Sequence, residues 1–249
     1  MKINILALII LLISCDANTQ NYIEVNIPTA RLESEYVWRT IQDIKFFENN
    51  NYTISLPEGP LIEELLVKSK NNKLSKEDYK RLEVYIKDSI YNKSDYKKGY
   101  DKISGELVLI HQMINEINDL NLRWNYKEFN NYQINLTLYG PGGSYNPDNG
   151  SILIYTTPEG RFKNYENPIN IIIHEIIHIG IEKSIINKYE IPHTLKERIV
   201  DTFVFLCFRQ YLPDYRMQNM GDNRIDNYLK TKEDLMDLHE FVELIMKED

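Results

Sequence analysis

Cysteine is nearly absent. The chain of 249 residues has two, Cys15 and Cys207, too few for a disulfide-stapled scaffold. Cys207 sits in the apolar run "FVFLCF" and reads as a small buried hydrophobe. Any folded core must therefore hold by packing. Glycine and proline are modest, at 10 and 9 residues. No internal repeat or low-complexity tract is present, which sets aside repeat architectures. There is no block of lysine or arginine, and the formal charge is −8, so a nucleic-acid footprint is not expected. Long hydrophobic runs are missing too. The best, Ile5 to Ile13, is too short to span a bilayer comfortably. What remains is 43% hydrophobic residues, ordinary for a globular protein.

The N-terminus reads "MKINILALIILLISCDANTQN", with Lys2 ahead of the apolar stretch and "LISC" at its end. This resembles the signal and lipobox of bacterial lipoproteins, a family in which the leader is cut before the cysteine and the cysteine then carries lipid. The resemblance implies a signal peptide at 1–14, lipidation at Cys15 and a membrane anchor on the outside of a bacterial cell envelope. An ordinary signal peptide containing a cysteine is the plainer alternative. Residues 15–24, polar from Asp16 on, read as a tether from the membrane to the domain.

Helical spacing dominates the first half. Thr29–Asn50, Leu61–Lys68, Ser75–Asn92 and roughly Tyr96–Asp119 carry apolar residues at helical intervals. Ser75 followed by Asp78 is a weak capping signal. The texture changes at Tyr132. "YQINLTLYG" and "SILIYTT" have strand composition, and the "PGGSYNPDNG" between them is dense in turn residues. A helix from about Asn167, with Pro168 suited to its first turn, a second helix over Thr194–Leu212 and an amphipathic tail from Thr231 complete the chain. The expected class is α+β. One mostly helical domain over 25–249 is predicted, divided into a helical part (25–130), a core (131–212) and a C-terminal helical part (213–249).

The chemistry concentrates in "NPINIIIHEIIHIGIEKS", Asn167–Ser184. Its isoleucines surround the helix, so it should be buried. Yet it carries His174, Glu175 and His178. Buried imidazoles and carboxylates need partners. Histidines at i and i+4 share one helix face and can meet on a single zinc ion. Glu175 falls where it can reach a water at that ion, accept its proton and deliver it later. HExxH in a helix is the zincin metallopeptidase signature.

A catalytic zinc needs a third protein ligand. Glu182 lies two turns along the same helix, about 12 Å from His174 by helical rise, too far for the same ion. His193 does not stand where the HExxHxxGxxH family keeps its third histidine, and Gly180 is one position early for that pattern. Asp201 is a possible ligand. Glu197, on the next helix, fits best, although Thr194 to Glu197 also satisfies a capping box. His174 to His178, then eighteen residues, then Glu197, is HExxH-x18-E. This resembles the gluzincins, the thermolysin-like and minigluzincin-type peptidases. The resemblance covers about Tyr132 to Leu212. It implies Glu197 as the third zinc ligand, Glu175 as general base, and Asp201, four residues after Glu197, as the carboxylate orienting a zinc histidine.

The family also implies an edge strand above the zinc where peptide or protein substrate adds as a further strand. "GGSYNPDNGSILIYTT" lies where that hairpin belongs, so Gly143, Ser144 and Tyr145 are the expected rim; an ordinary hairpin is the bland alternative. A GxMEN-type exopeptidase motif is absent, which favours an endopeptidase. The late Tyr or His that steadies the oxyanion in many gluzincins has four candidates, Tyr211, Tyr215, Tyr228 and His239. His111 is read as a core or edge histidine. The expectation is a lipid-anchored zinc peptidase. The alternatives are a surface binding or adhesion lipoprotein with a structural zinc, and hydrolysis of a cell-wall crosslink or a toxin–immunity role.

Overall fold

A computed structural model describes residues 22–163, 166–217 and 221–247. The leader, Cys15 and most of the expected tether lie outside these residues. The last part of that tether does not. Tyr22–Asn26 forms strand β1, paired parallel with β2 in register Tyr22↔Asn131. Residues 22–24 therefore belong to the folded domain, because their backbone groups are bound into a sheet.

Helices α1 (Ala30–Gln42) and α2 (Ile44–Asn49) divide the expected first helix at Asp43. Thr29 caps α1, accepting from the backbone N–H of Leu32. Next come α3 (Pro60–Lys70) and α4 (Lys76–Tyr85). Ser75 and Asp78 form the full reciprocal capping box at the start of α4. Val37, Ile41, Ile62, Leu65, Leu82 and Ile86 form a small core among these helices. Helices α5 (Lys97–Gly105) and α6 (Leu107–Asn118) follow. The long helix expected here breaks at Glu106, after Gly105, a poor residue for a helix interior.

Strand β2 (Asn131–Thr137) buries Tyr132, Ile134 and Leu136, alternate residues as a period of two requires. Strand β3 (Gly143–Asn146) lies inside the segment read as turn, and β4 (Ser151–Tyr155) follows. The sheet is mixed, in order β1-β2-β4-β3, with β3 antiparallel to β4 and the other pairs parallel. Strand β3 is therefore an edge strand.

Helix α7 (Ile169–Ile181) packs against β3 and β4. Pro168 is its N-cap residue rather than part of its first turn. Isoleucines bury α7 nearly all round, and it continues into a π-helical turn, Glu182–Ile186. Gly180 has a packing reason. The ring of Tyr126 lies so close that any Cβ there would overlap it, and Tyr126 Oη donates to the Ile176 carbonyl at 3.0 Å. Helix α8 (His193–Phe208) packs beside α7, and α9 (Leu238–Lys247) closes the chain. The fold is α+β and mostly helical, with its main core between the sheet, α6, α7, α8 and the C-terminal segment. Among the described residues, no helix is long and apolar enough to cross a membrane.

Candidate metal centre

One turn of α7 and the first turns of α8 place three ligand atoms in a small triangle. His174 Nε2 lies 3.0 Å from His178 Nε2, and each lies 3.4 Å from Glu197 Oε2. Tetrahedral ligands at zinc–nitrogen and zinc–oxygen distances near 2.1 Å stand about 3.4 Å apart. The triangle therefore matches the spacing one ion would impose. All three residues are buried, and among the described residues they form the metal-competent group. Glu197 is not part of a capping box. Pro192 is the N-cap residue of α8 and Thr194 is inside the helix, so the Glu197 carboxylate is free to face α7.

The electrostatics call for a cation here. Burial alone would lower His174, but its contacts with Asp201 and Glu197 outweigh that and raise it. Burial likewise opposes the charged form of Glu197, yet the two histidines hold its carboxyl well below the usual range. His178 is pulled down to about 4, chiefly by burial, leaving the neutral imidazole a metal ligand must be. A proton or a metal ion on the Nε2 side satisfies the same demand.

Behind His174 stands a relay. Tyr215 Oη lies 2.8 Å from His174 Nδ1 and donates to Asp201 Oδ1 at 2.7 Å, while Asp201 Oδ1 is 3.3 Å from Nδ1. With the Nδ1 proton turned toward this pair, Nε2 is left as a lone pair aimed at the centre. Asp201 lies on the far side of the ring from Glu197's oxygen, so its geometry is that of an orienting carboxylate. Tyr215, one of four candidates for a late oxyanion donor, is committed to this relay. None of Tyr211, Tyr215, Tyr228 and His239 lines the cleft beside the centre. Tyr211 instead hydrogen-bonds Glu116 and Gln112, and Tyr228 stacks on Phe241. His111 is half-buried on α6, as an edge histidine would be.

Glu175 is buried, and desolvation pushes its carboxyl up to about 7, with the charge of His174 opposing and that of Glu197 adding. Its carboxylate lies directly against Gly143 of β3. Two residues on, the Tyr145 ring stacks over the His178 imidazole at 4.7 Å and 8°. Tyr145 Oη donates to Glu182 at 2.7 Å and accepts from Lys196 Nζ at 3.1 Å. Glu182 thus reaches the strand rather than the centre.

A cleft of about 680 Å³ opens over the centre. Gly143, Ser144 and Tyr145 line one side. The opposite wall comes from the helical first part of the chain, and sequence reasoning missed it: Arg39, Phe46, Phe47 and Tyr52. Tyr52 Oη is 3.1 Å from His193 Nε2, and His193 Nδ1 is 3.5 Å from Glu197 Oε1. No local signal in "NNNYT" marks Tyr52. Its role depends on a contact across 141 residues of chain. No protein-family model matches the chain, and no curated protein or solved structure matches it.

Proposed function

We propose that the protein is a zinc-dependent peptidase. The observation that carries the reading is the combination, in one cleft, of the His174, His178 and Glu197 triangle with the buried Glu175 beside it. A site meant only to hold zinc structurally has no use for an unliganded buried carboxyl, and structural sites close with a fourth protein ligand or with cysteine. When bound, zinc supplies Lewis acidity to the scissile carbonyl and to the attacking water. The chain's own residues do the rest. Glu175, raised to about 7 by burial, takes the proton from that water and returns it to the leaving nitrogen. Tyr215 and Asp201 hold the tautomer of His174. Tyr145 covers His178 and excludes solvent from that side.

The substrate is an extended peptide lying along β3. The ladder turns the backbone of Gly142 and Asn146 toward β4, so the alternate Gly143 and Tyr145 offer their N–H and C=O groups to the open edge. Strand addition there supplies main-chain hydrogen bonds with no demand on sequence. Glu175→Gln is the test. It should keep zinc and fold and lower turnover of a peptide substrate by about 10²–10⁴-fold. A fully active variant would exclude Glu175 as the base. Attachment to a bacterial envelope through lipidated Cys15 belongs to the same reading. Cys15→Ser should leave the membrane fraction, and unchanged membrane retention with the leader removed would rule out the anchor.

A further inference from the structure

Strand β3 sorts the two walls of the cleft. Gly143 and Tyr145 direct their positions toward α7, against Glu175 and His178. Ser144, between them, points to the opposite face. There Arg39 of α1 reaches it, with Nη2 donating to Ser144 Oγ at 3.0 Å. Arg39 is exposed, lines the cleft and, among the described residues, has no carboxylate partner. A guanidinium has five N–H donors in a planar fork that matches a carboxylate, and one is used here.

The surroundings favour an anion as well. Lys196 donates to Tyr145 Oη, and Lys163 donates to the carbonyls of Thr53 and Pro141. Neither lysine is paired with a carboxylate among the described residues. Asp43 also lines the cleft, one turn along α1, but no ion pair joins it to Arg39. Counting Arg39, Lys163 and Lys196 against Asp43, Glu175 and Glu197, the side chains balance. A divalent ion then leaves the cleft positive in a chain of net charge −8.

Resting on the peptidase reading, we infer that the cleft selects peptides with an acidic side chain at the residue lying opposite Ser144, where Arg39 receives it. Directly opposed residues of an antiparallel pair project to the same face. A substrate residue paired with Ser144 therefore aims its side chain at Arg39, while its neighbours aim toward the metal side. Aspartate or glutamate there completes the fork; lysine meets a like charge.

The test walks a single Glu, Gln or Lys through otherwise identical fluorescent peptides. Binding is measured on the zinc-loaded Glu175→Gln protein, and turnover on the wild type. At one position Glu should bind roughly 10-fold tighter than Gln, as a charge-assisted fork does. Arg39→Ala should abolish that difference, and Arg39→Glu should reverse the preference to Lys. Arg39 is exposed on its helix, so both variants should fold. Absence of an acid preference, a preference that survives Arg39→Glu, or no binding by any peptide overturns the inference. Binding with an Arg39-dependent acid preference but no wild-type turnover supports the inference and removes the peptidase reading.

Discussion

Gly143 of β3 lies against the carboxylate of Glu175 with no room for a side chain between them. A Cβ at Gly143 would overlap Glu175 Oε1 and press on Ile171 Cγ2 at 2.9 Å. Gly143 is not in the left-handed region, so alanine is acceptable to the backbone and the cost is one of space. Ile171 is buried and holds its place, so the Glu175 carboxylate is the group that must shift. Gly143→Ala should therefore keep the fold and zinc binding while displacing the carboxylate proposed as the base. A misplacement near 1 Å costs on the order of 100-fold in turnover. Zinc content and turnover, measured together, check this. Full activity would mean that Glu175 has slack the packing does not suggest.

The reach of the sequence follows the range of the interactions. Helix α7 was legible because isoleucine surrounds it, which marks a buried helix, and because its two histidines stand one turn apart, and Glu197 because a short connection brings the next helix alongside. The α+β class followed from the switch of period at Tyr132. Composition hid strand β3 inside "PGGSYNPDNG", where glycine and proline mark turns; only the family resemblance placed a hairpin edge with Gly143–Tyr145 there, and pairing with β4 makes Gly143–Asn146 extended. The end of the tether was hidden in the same way, since β1 gains its ladder from β2, more than a hundred residues on. The capping-box alternative for Thr194 failed because Pro192 starts α8 earlier. Tyr215 was named for another role, and Tyr52 and Arg39 were not named at all. Each acts through a partner distant in sequence, and no periodicity encodes that.

Zinc titration separates the ligands from their supports. His178→Ala and Glu197→Gln each remove a corner of the triangle and should empty the site at concentrations that fill the wild type. Asp201→Asn and Tyr215→Phe break the relay to His174 Nδ1 and should weaken zinc by about 10–100-fold while leaving it bindable. Thermal unfolding reads the same order. At a hundredfold excess over Kd, bound metal adds about 2.7 kcal/mol, roughly 5–10 °C in Tm, and a chelator removes it. If Asp201→Asn emptied the site and Glu197→Gln did not, Asp201 would be the third ligand and the triangle would be wrong.

Glu33 ties the helical part to the sheet and makes stability depend on pH. It is fully buried on α1, and Oε1 accepts the Leu138 backbone N–H at 2.9 Å just past the end of β2, while Oε2 has no partner at hydrogen-bonding geometry. Burial raises its carboxyl from 4.5 to about 7, against the weaker lowering effects of Leu138, Tyr96 and Thr137. The folded chain thus holds this proton more tightly than the unfolded chain. Below the unfolded pKa both states are protonated and nothing is lost. As pH rises from there through about 7, the folded state must give up the proton or keep it at a cost, so stability falls. Above about 7 the loss is complete. A rise from 4.5 to about 7 corresponds to about 3 kcal/mol. Glu33→Gln keeps the acceptor for Leu138 and carries no titrating group. Urea unfolding of both proteins at a series of pH values, each zinc-saturated, isolates Glu33 because the other titrating groups are common to both. The variant should match the wild type near pH 4.5 and exceed it by up to about 3 kcal/mol at pH 8. Equal stabilities at both pH values would mean that Glu33 is ionised at no cost where it lies.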